Sequence, residues 1–229
     1  MNKRSTPLKA AVLVILSLAV LTGSAWMIGA RLIYSPDECR ARLGSSVGFG
    51  QTPDPEQGPL PELTLEELPP HLIEAVLAIE DHTFWTHFGI RPLAIVRAFA
   101  VNLRHWEFRQ GASTISQQVA RGLFLSHEKT LRRKLHEILL TFGLEEDLGK
   151  SRILEIYLNR IYLGHGKYGV FQAADFYFGL HPRDLNRSQS IMLAGLIGAP
   201  EHYSPVNAPA RARRRFAAVL SRLRALGAK

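Results

Sequence analysis

Cysteine is almost missing from this sequence. Cys39 is the single one in 229 residues, which excludes an internal disulfide framework and any Cys-rich zinc site. Charge is also sparse, at 21% of residues against 46% hydrophobic; a disordered chain would show the reverse balance. No alternating apolar run of convincing strand length occurs, so a sheet-based fold is not expected. Zinc-finger spacing and RNA-binding aromatic motifs are absent, and no nucleic-acid partner is expected. Acidic residues are missing from both ends. Residues 1–9 hold Lys3, Arg4 and Lys9 with no acid, and residues 211–229 hold Arg211, Arg213, Arg214, Arg215, Arg222, Arg224 and Lys229 with no acid. The net charge of +8 is thus concentrated at the ends, a pattern suited to an anionic surface touched at particular places.

What is present begins with a long uncharged stretch. Ala10 to Ala30 reads AAVLVILSLAVLTGSAWMIGA, and a helix of that length spans about 31 Å, one hydrocarbon core. The preceding Lys3, Arg4 and Lys9 put the N-terminus on the cytoplasmic side by the positive-inside rule. Gly23-Ser24-Ala25 would suit a cleaved signal peptide, but the apolar run continues through Trp26, Met27 and Ile28, so an uncleaved anchor is preferred. The chain then divides into a basic tail (1–9), a transmembrane helix (10–33), a linker (34–60) rich in Pro and Gly, and a globular domain (61–229).

That domain reads as mainly α. Thr64-Leu65-Glu66-Glu67 fits a capping box, and Pro69-Pro70 suits the first turn of the following helix. Leu131, Leu135, Ile138, Leu139 and Phe142 recur at helical spacing, as do Ile153, Leu154, Leu158 and Ile161. Near the end, Asn207 is expected to cap a helix with Pro209 in its first turn and Phe216, Val219, Leu220 and Leu223 as its apolar stripe. Gly164 to Gly169 matches GxGxxG but follows a helical pattern instead of a strand, so nucleotide binding is not expected. Ser126-His127-Glu128-Lys129 matches SxxK without the accompanying KTG. His82 and His87 lack the i, i+4 spacing of a helical zinc site, and no metal ligands are assigned.

Three segments carry chemistry. In the first, the apolar helix HLIEAVLAIE delivers Glu80 to its C-terminal end. Burial and the negative helix end would both raise that carboxylate's pKa, as a general base requires; an exposed acidic helix end is the plainer alternative. In the second, Ser113 or Thr114 can cap a helix on which Gln117, Gln118 and Arg121 share a face, a plausible diphosphate cradle or a capped surface helix. In the third, Arg133 and Lys134 lie four and three residues before Glu137. Simple helix salt bridges, or a carboxylate among cations that receive an anionic leaving group, both satisfy that spacing.

Together the segments resemble the peptidoglycan glycosyltransferases (glycosyltransferase family 51), which comprise monofunctional transglycosylases and the N-terminal halves of class A penicillin-binding proteins. The family's EDxxFxxHxG is matched by Glu80, Asp81, Phe84, His87 and Gly89. Its GGSTIxQQxxKN is met at Gly111, Ser113, Thr114, Ile115, Gln117 and Gln118, with Ala112, Arg121 and Gly122 departing from Gly, Lys and Asn. RKxxE is met by Arg133, Lys134 and Glu137, and KxxILExYLNxxxxGxGxxGxxxAAxxYF throughout from Lys150 to Phe178. A fifth segment, SQSIMLAGLIGAPEHYSP, resembles the family's EAALLAGLPQAPxxYNP with Gln189 in place of an acid, expected to be structural.

The resemblance implies a bilobal, lysozyme-like helical domain with a small membrane-embedded lobe, acting on lipid II and on glycan carried by undecaprenyl diphosphate. It implies an inverting displacement with Glu80 as general base and Glu137 as the second essential carboxylate. Arg121, Lys129 and Arg133 would stabilise the leaving diphosphate. Asp81, Phe84, His87, Ser113, Thr114, Gln117, Gln118 and Lys134 complete the implied substrate-binding set. No cofactor is required by the sequence, although a divalent cation (Mg or Mn) could ride on the diphosphate. The remaining implications are membrane lipid and cell-wall synthesis or division proteins as partners, and the bacterial inner membrane with the catalytic domain outside it. A short stop after the fifth motif suggests a monofunctional protein. The rival readings are a lytic, lysozyme-like glycan-cleaving enzyme and an inactive scaffold that binds lipid-linked precursor.

Overall fold

A computed structural model describes residues 29–44, 49, 62–94, 97, 113–125 and 130–227. Among them the regular elements are helical, with one isolated bridge between Tyr162 and Tyr168. The helices are α1 (Pro36–Leu43), α2 (Pro70–Glu80), α3 (Ile115–Phe124), α4 (Leu131–Arg160), α5 (Gly169–Phe178), α6 (Arg187–Leu196), α7 (Pro200–Tyr203) and α8 (Pro209–Ala225), with short 3₁₀ turns at Leu65–Glu67 and Pro182–Asp184. The mainly α expectation is met.

Local chemistry explains most boundaries. Thr64 and Glu67 form the expected capping box around the first 3₁₀ turn, and Pro70 opens α2, where its missing N–H costs nothing. Thr114 caps α3 by accepting from the Gln117 amide. Asn186 and Gln189 box the start of α6. Gln189 therefore does at N3 what an acid would do there, so its departure from the family pattern costs no contact. Asn207, by contrast, does not cap α8; Ala208 occupies the cap position and contributes no side-chain bond. Ser204 has taken the local role instead, its hydroxyl accepting from the amides of Val206 and Asn207.

The core joins α2, α3, α4 and α6. Leu72, Ile115, Leu144, Ile153, Leu154, Leu158, Ile191 and Leu193 are fully buried in one cluster. The face of α3 packs along α4, α2 lies on α6, and α8 closes over both α6 and α2, burying Val219 and Leu223 of the expected stripe. Helix α4 is two helices joined at Gly149, whose φ of 71° and ψ of 169° interrupt the ladder. Only glycine adopts that backbone without strain, and the break separates a half carrying Lys134, Glu137 and Glu145 from a half carrying Lys150 and Tyr157.

The segment 34–60, expected as a linker, contains structure. Ser35 caps α1 and Pro36 opens it. Cys39 and Tyr34 are buried, and the Tyr34 ring lies so close to Gly143 that a Cβ there would sit 2.4 Å from it. Arg160 donates to the carbonyls of Arg42 and Leu43 at the end of α1, and Arg42 to Leu123 O. These anchors run from side chain to backbone and leave no periodic apolar signal, which is why the sequence reads as linker there. No helix among the described residues is long and apolar enough to cross a membrane. Of the span expected at 10–33, residues 29–33 are helical and 10–28 lie outside the described residues, as do 1–9, 45–48 and 50–61.

Candidate active site

Helix α2 ends at Glu80, and its apolar face (Leu72, Ala75, Val76, Ala78) is buried. That packing carries Glu80 inward. Its Oε2 accepts from Gln118 Nε2 at 2.7 Å. Gln118 is in turn oriented by Tyr157, a fully buried phenol whose hydroxyl donates to Gln118 Oε1 at 3.5 Å. Burial holds the Tyr157 proton well above the ordinary phenol range, so the phenol is a donor and the amide must turn its NH₂ toward Glu80. Burial likewise raises the Glu80 carboxyl above the usual carboxylate range. The Gln118 hydrogen bond and the charges of Arg215 and Arg121 pull it partly back, and Asp81 pushes it up.

The loop after α2 is bolted to the start of α3. Asp81 Oδ2 accepts from His87 Nε2 at 2.8 Å and from the Ile115 amide at 3.2 Å. Arg91 stands 3.5 Å from the other oxygen. His87 Nδ1 faces two donors, the Gly89 amide at 3.2 Å and Lys150 Nζ at 3.3 Å, which leaves the ring proton on Nε2 for Asp81. Thr114 donates its hydroxyl to Gly89 O at 2.5 Å. Gln117 Oε1 accepts from the Thr114 amide at 3.0 Å. Phe84 is buried against His87 and Trp85. Asp81, Phe84, His87, Thr114 and Gln117 thus have their contacts inside the protein, where they fix the site's walls.

Glu137 sits on the first half of α4 with its side chain fully buried. Its Oε1 contacts Lys134 Nζ, and its Oε2 lies 3.9 Å from Arg121 Nη1. Lys134 also donates to Ser113 Oγ at 3.2 Å. The cations are far more open than the carboxylate beneath them, with side chains 38% and 40% exposed for Lys134 and Arg121. Arg133 is half-buried nearby in sequence, its Nε without a hydrogen bond. Lys129, Gly111 and Ala112 lie outside the described residues. One helix links the two carboxylates: Gln118 and Arg121, i and i+3 on α3, reach Glu80 and Glu137 respectively.

Two supports escaped the sequence reading. Lys150 bonds Glu145 at 2.6 Å, lies 4.5 Å over the Phe84 ring and touches His87, while Glu145 also takes the Ser116 hydroxyl. Lys150 opens the fourth motif, so its presence was visible, but nothing in a linear sequence says that it returns to His87, 63 residues earlier. Gly122 is the second. The Phe49 ring rests on it so closely that a Cβ would stand 2.4 Å away, and the Phe49 amide donates to Arg160 O. The family's Asn at this position is incompatible with that seat.

A family model described as Transglycosylase matches residues 53–224. The chain belongs to the transglycosylase family, the peptidoglycan glycosyltransferases whose motifs it carries. The chain is 48% identical over 161 residues to penicillin-binding protein 1A of Aquifex aeolicus, an overlap of 70% of this chain and 22% of that protein. It is 45% identical over 161 residues to penicillin-binding protein 1A of Escherichia coli, again 70% of this chain and 19% of that one. A Cupriavidus necator protein named as a transglycosylase is 42% identical over 213 residues, 93% of this chain and 88% of its own length. The transglycosylase thus spans about a fifth of the penicillin-binding proteins it matches and most of the Cupriavidus one.

Proposed function

We propose that this transglycosylase polymerises lipid II into β-1,4-linked glycan with release of undecaprenyl diphosphate. The observation that carries the reading is the pair of carboxylates reached from one face of α3. Glu80 is poised to take a proton, and Glu137 lies under a cation cluster. In the reaction, the 4-hydroxyl of the acceptor lipid II attacks the anomeric carbon of the donor glycan. The new C–O bond forms as the bond to the diphosphate breaks, with inversion from α to β. The hydroxyl proton passes to Glu80, whose raised pKa suits a general base near neutral pH. The electron pair leaves with the diphosphate, whose growing charge faces Arg121, Arg133 and Lys134 and, by family resemblance, Lys129. Glu137 holds Lys134 and Arg121 at the donor side. Ser113 and Gln118 orient sugar or diphosphate oxygens, while Asp81, Phe84, His87, Thr114 and Gln117 keep the walls in place.

The uncharged Ala10–Ala30 run and the basic residues before it support a single-pass anchor in the bacterial inner membrane, with the helical domain outside and built on the family's bilobal, lysozyme-like plan. Arg in place of Lys at 121 keeps the charge and can hold a phosphate with two parallel hydrogen bonds.

The test is incubation of the detergent-solubilised full chain with labelled lipid II, beside Glu80→Gln, with products sized before and after muramidase digestion. A muramidase-sensitive polymer from the wild type and none from the variant is the expected result. Shortening of preformed glycan without synthesis would identify a lytic enzyme, and inertness toward both would identify a scaffold.

A further inference from the structure

Helix α8 carries six of the chain's arginines, and three of them share a task. Arg211, Arg215 and Arg222 are spaced i, i+4 and i+11, which puts them on one face. Each donates its Nε–H to a main-chain carbonyl: Arg211 to His202 O at 2.9 Å, Arg215 to Gly195 O at 3.1 Å and Arg222 to Ala78 O at 3.3 Å. Those carbonyls lie in the last turns of α7, α6 and α2. Carbonyls at a helix C-terminus lack intrahelical partners and carry the negative end of the dipole, so a guanidinium there is favoured twice. Arg215 also stacks over the Tyr203 ring at 5.0 Å. Arg222 reaches His82 Nδ1 at 3.3 Å. Arg213, Arg214 and Arg224 are exposed. The basic C-terminus is therefore not uniformly a solvated face; half of its arginines clasp helix ends.

One of these ends is special. Ala78 is two residues before Glu80, and the same final turn is closed by the Asp81 amide donating to Leu77 O. We propose that Arg222 is a positioning residue for Glu80: by holding the last turn of α2 it fixes the carboxylate's aim at Gln118. This rests on the reading of Glu80 as the base. The side-chain contacts of Arg222 among the described residues are Ala78 O and His82 Nδ1. Its effect runs through α2, and the clasp ties the far end of the chain to the catalytic helix.

The experiment compares the full-length wild type with Arg222→Met, Arg222→Lys and Arg211→Met in detergent. It measures kcat and KM on labelled lipid II, and amide hydrogen exchange in the last turn of α2. Arg211→Met breaks a bond of the same kind at α7, far in sequence from Glu80. In Arg222→Met kcat falls about tenfold or more, as a small misplacement of a catalytic group requires, KM stays within about twofold of wild type because no substrate contact is lost, and exchange in the final α2 turn, including the Asp81 amide, accelerates. Arg222→Lys recovers part of kcat. Arg211→Met keeps wild-type kcat and wild-type exchange in α2. A wild-type kcat in Arg222→Met, an equal loss in Arg211→Met, or a kcat loss without faster α2 exchange would each overturn the positioning role while leaving the polymerase reading intact. A wild type inert toward lipid II would overturn both, and is told apart by the wild-type reaction alone.

Discussion

Glu80 and Glu137 are the same residue type, the first half-buried and the second fully buried, in contrasting company. Glu80 faces an amide, and behind that amide a phenol; among the described residues, the cations Arg215 and Arg121 act on it through charge and not through a hydrogen bond. Glu137 faces an ammonium directly and a guanidinium at 3.9 Å. A carboxylate among neutral donors can accept a proton, whereas one among cations serves to fix them. Two acids on one scaffold have different surroundings, the pattern by which acid–base roles are commonly divided, and the proposed roles rest on that difference. The divider is α3, whose Gln118 and Arg121 are one turn apart.

The strongest attack on that contrast is Glu80→Gln, which should lower turnover by about 10²–10⁴-fold, the usual worth of a general base. It should not destabilise the fold. A carboxyl whose folded pKa is raised contributes stability below its unfolded pKa and loses it as pH rises through the folded value. The variant should therefore melt at or above the wild-type temperature at neutral pH, with any gain vanishing in acid; a calorimetric series across pH checks this. Glu137→Gln should cost about 10²-fold in kcat through loss of preorganised charge, yet leave the acid limb of the pH–rate profile where it was. An upward shift of that limb would mean that the two carboxylates do not divide the work.

Gln118→Met sharpens the comparison from the other side. It removes the hydrogen bond that lowers the Glu80 pKa, so the acid limb should move to higher pH while the maximal rate at alkaline pH changes less. The smallest effect on catalysis is expected from Lys150→Met, which among the described residues leaves the mostly buried Glu145 with the Ser116 hydroxyl alone. Breaking one side of a fully buried pair costs about 3–5 kcal/mol, an upper bound for this slightly exposed one, read as a lower denaturation midpoint, with lipid II turnover per folded molecule falling modestly.

Much of this site is legible in the linear sequence because its parts are local. The stretch from Pro70 to Glu80 states its own helix, its apolar face and the acid at its end. Thr114 and Gln117 declare a cap, and Arg133, Lys134 and Glu137 declare a shared helix face. The spacing could not choose between surface salt bridges and a buried carboxylate under cations, because burial of Glu137 depends on α3 arriving from elsewhere. Nor did it show that Thr114 and Gln117 Oε1 cap each other, or that Asn207 would lose its capping role to Ser204.

The sequence by itself determined the mainly α class, the helix starts with strong capping or proline chemistry, the helix-end position of Glu80, the shared helix face of Arg133, Lys134 and Glu137, and the basic character of the last helix. These follow from i, i+3 and i+4 spacing and from side chains that bond their own backbone. Tertiary structure alone decided the rest: the docking of α1 on the carbonyl-bonding side chain of Arg160, the Phe49 seat on Gly122, the Lys150 bridge to His87 and the arginine clasp on three helix ends. Most join residues far apart in the chain, many through side-chain bonds to main-chain carbonyls, a partner that every residue carries and that no sequence pattern can point to.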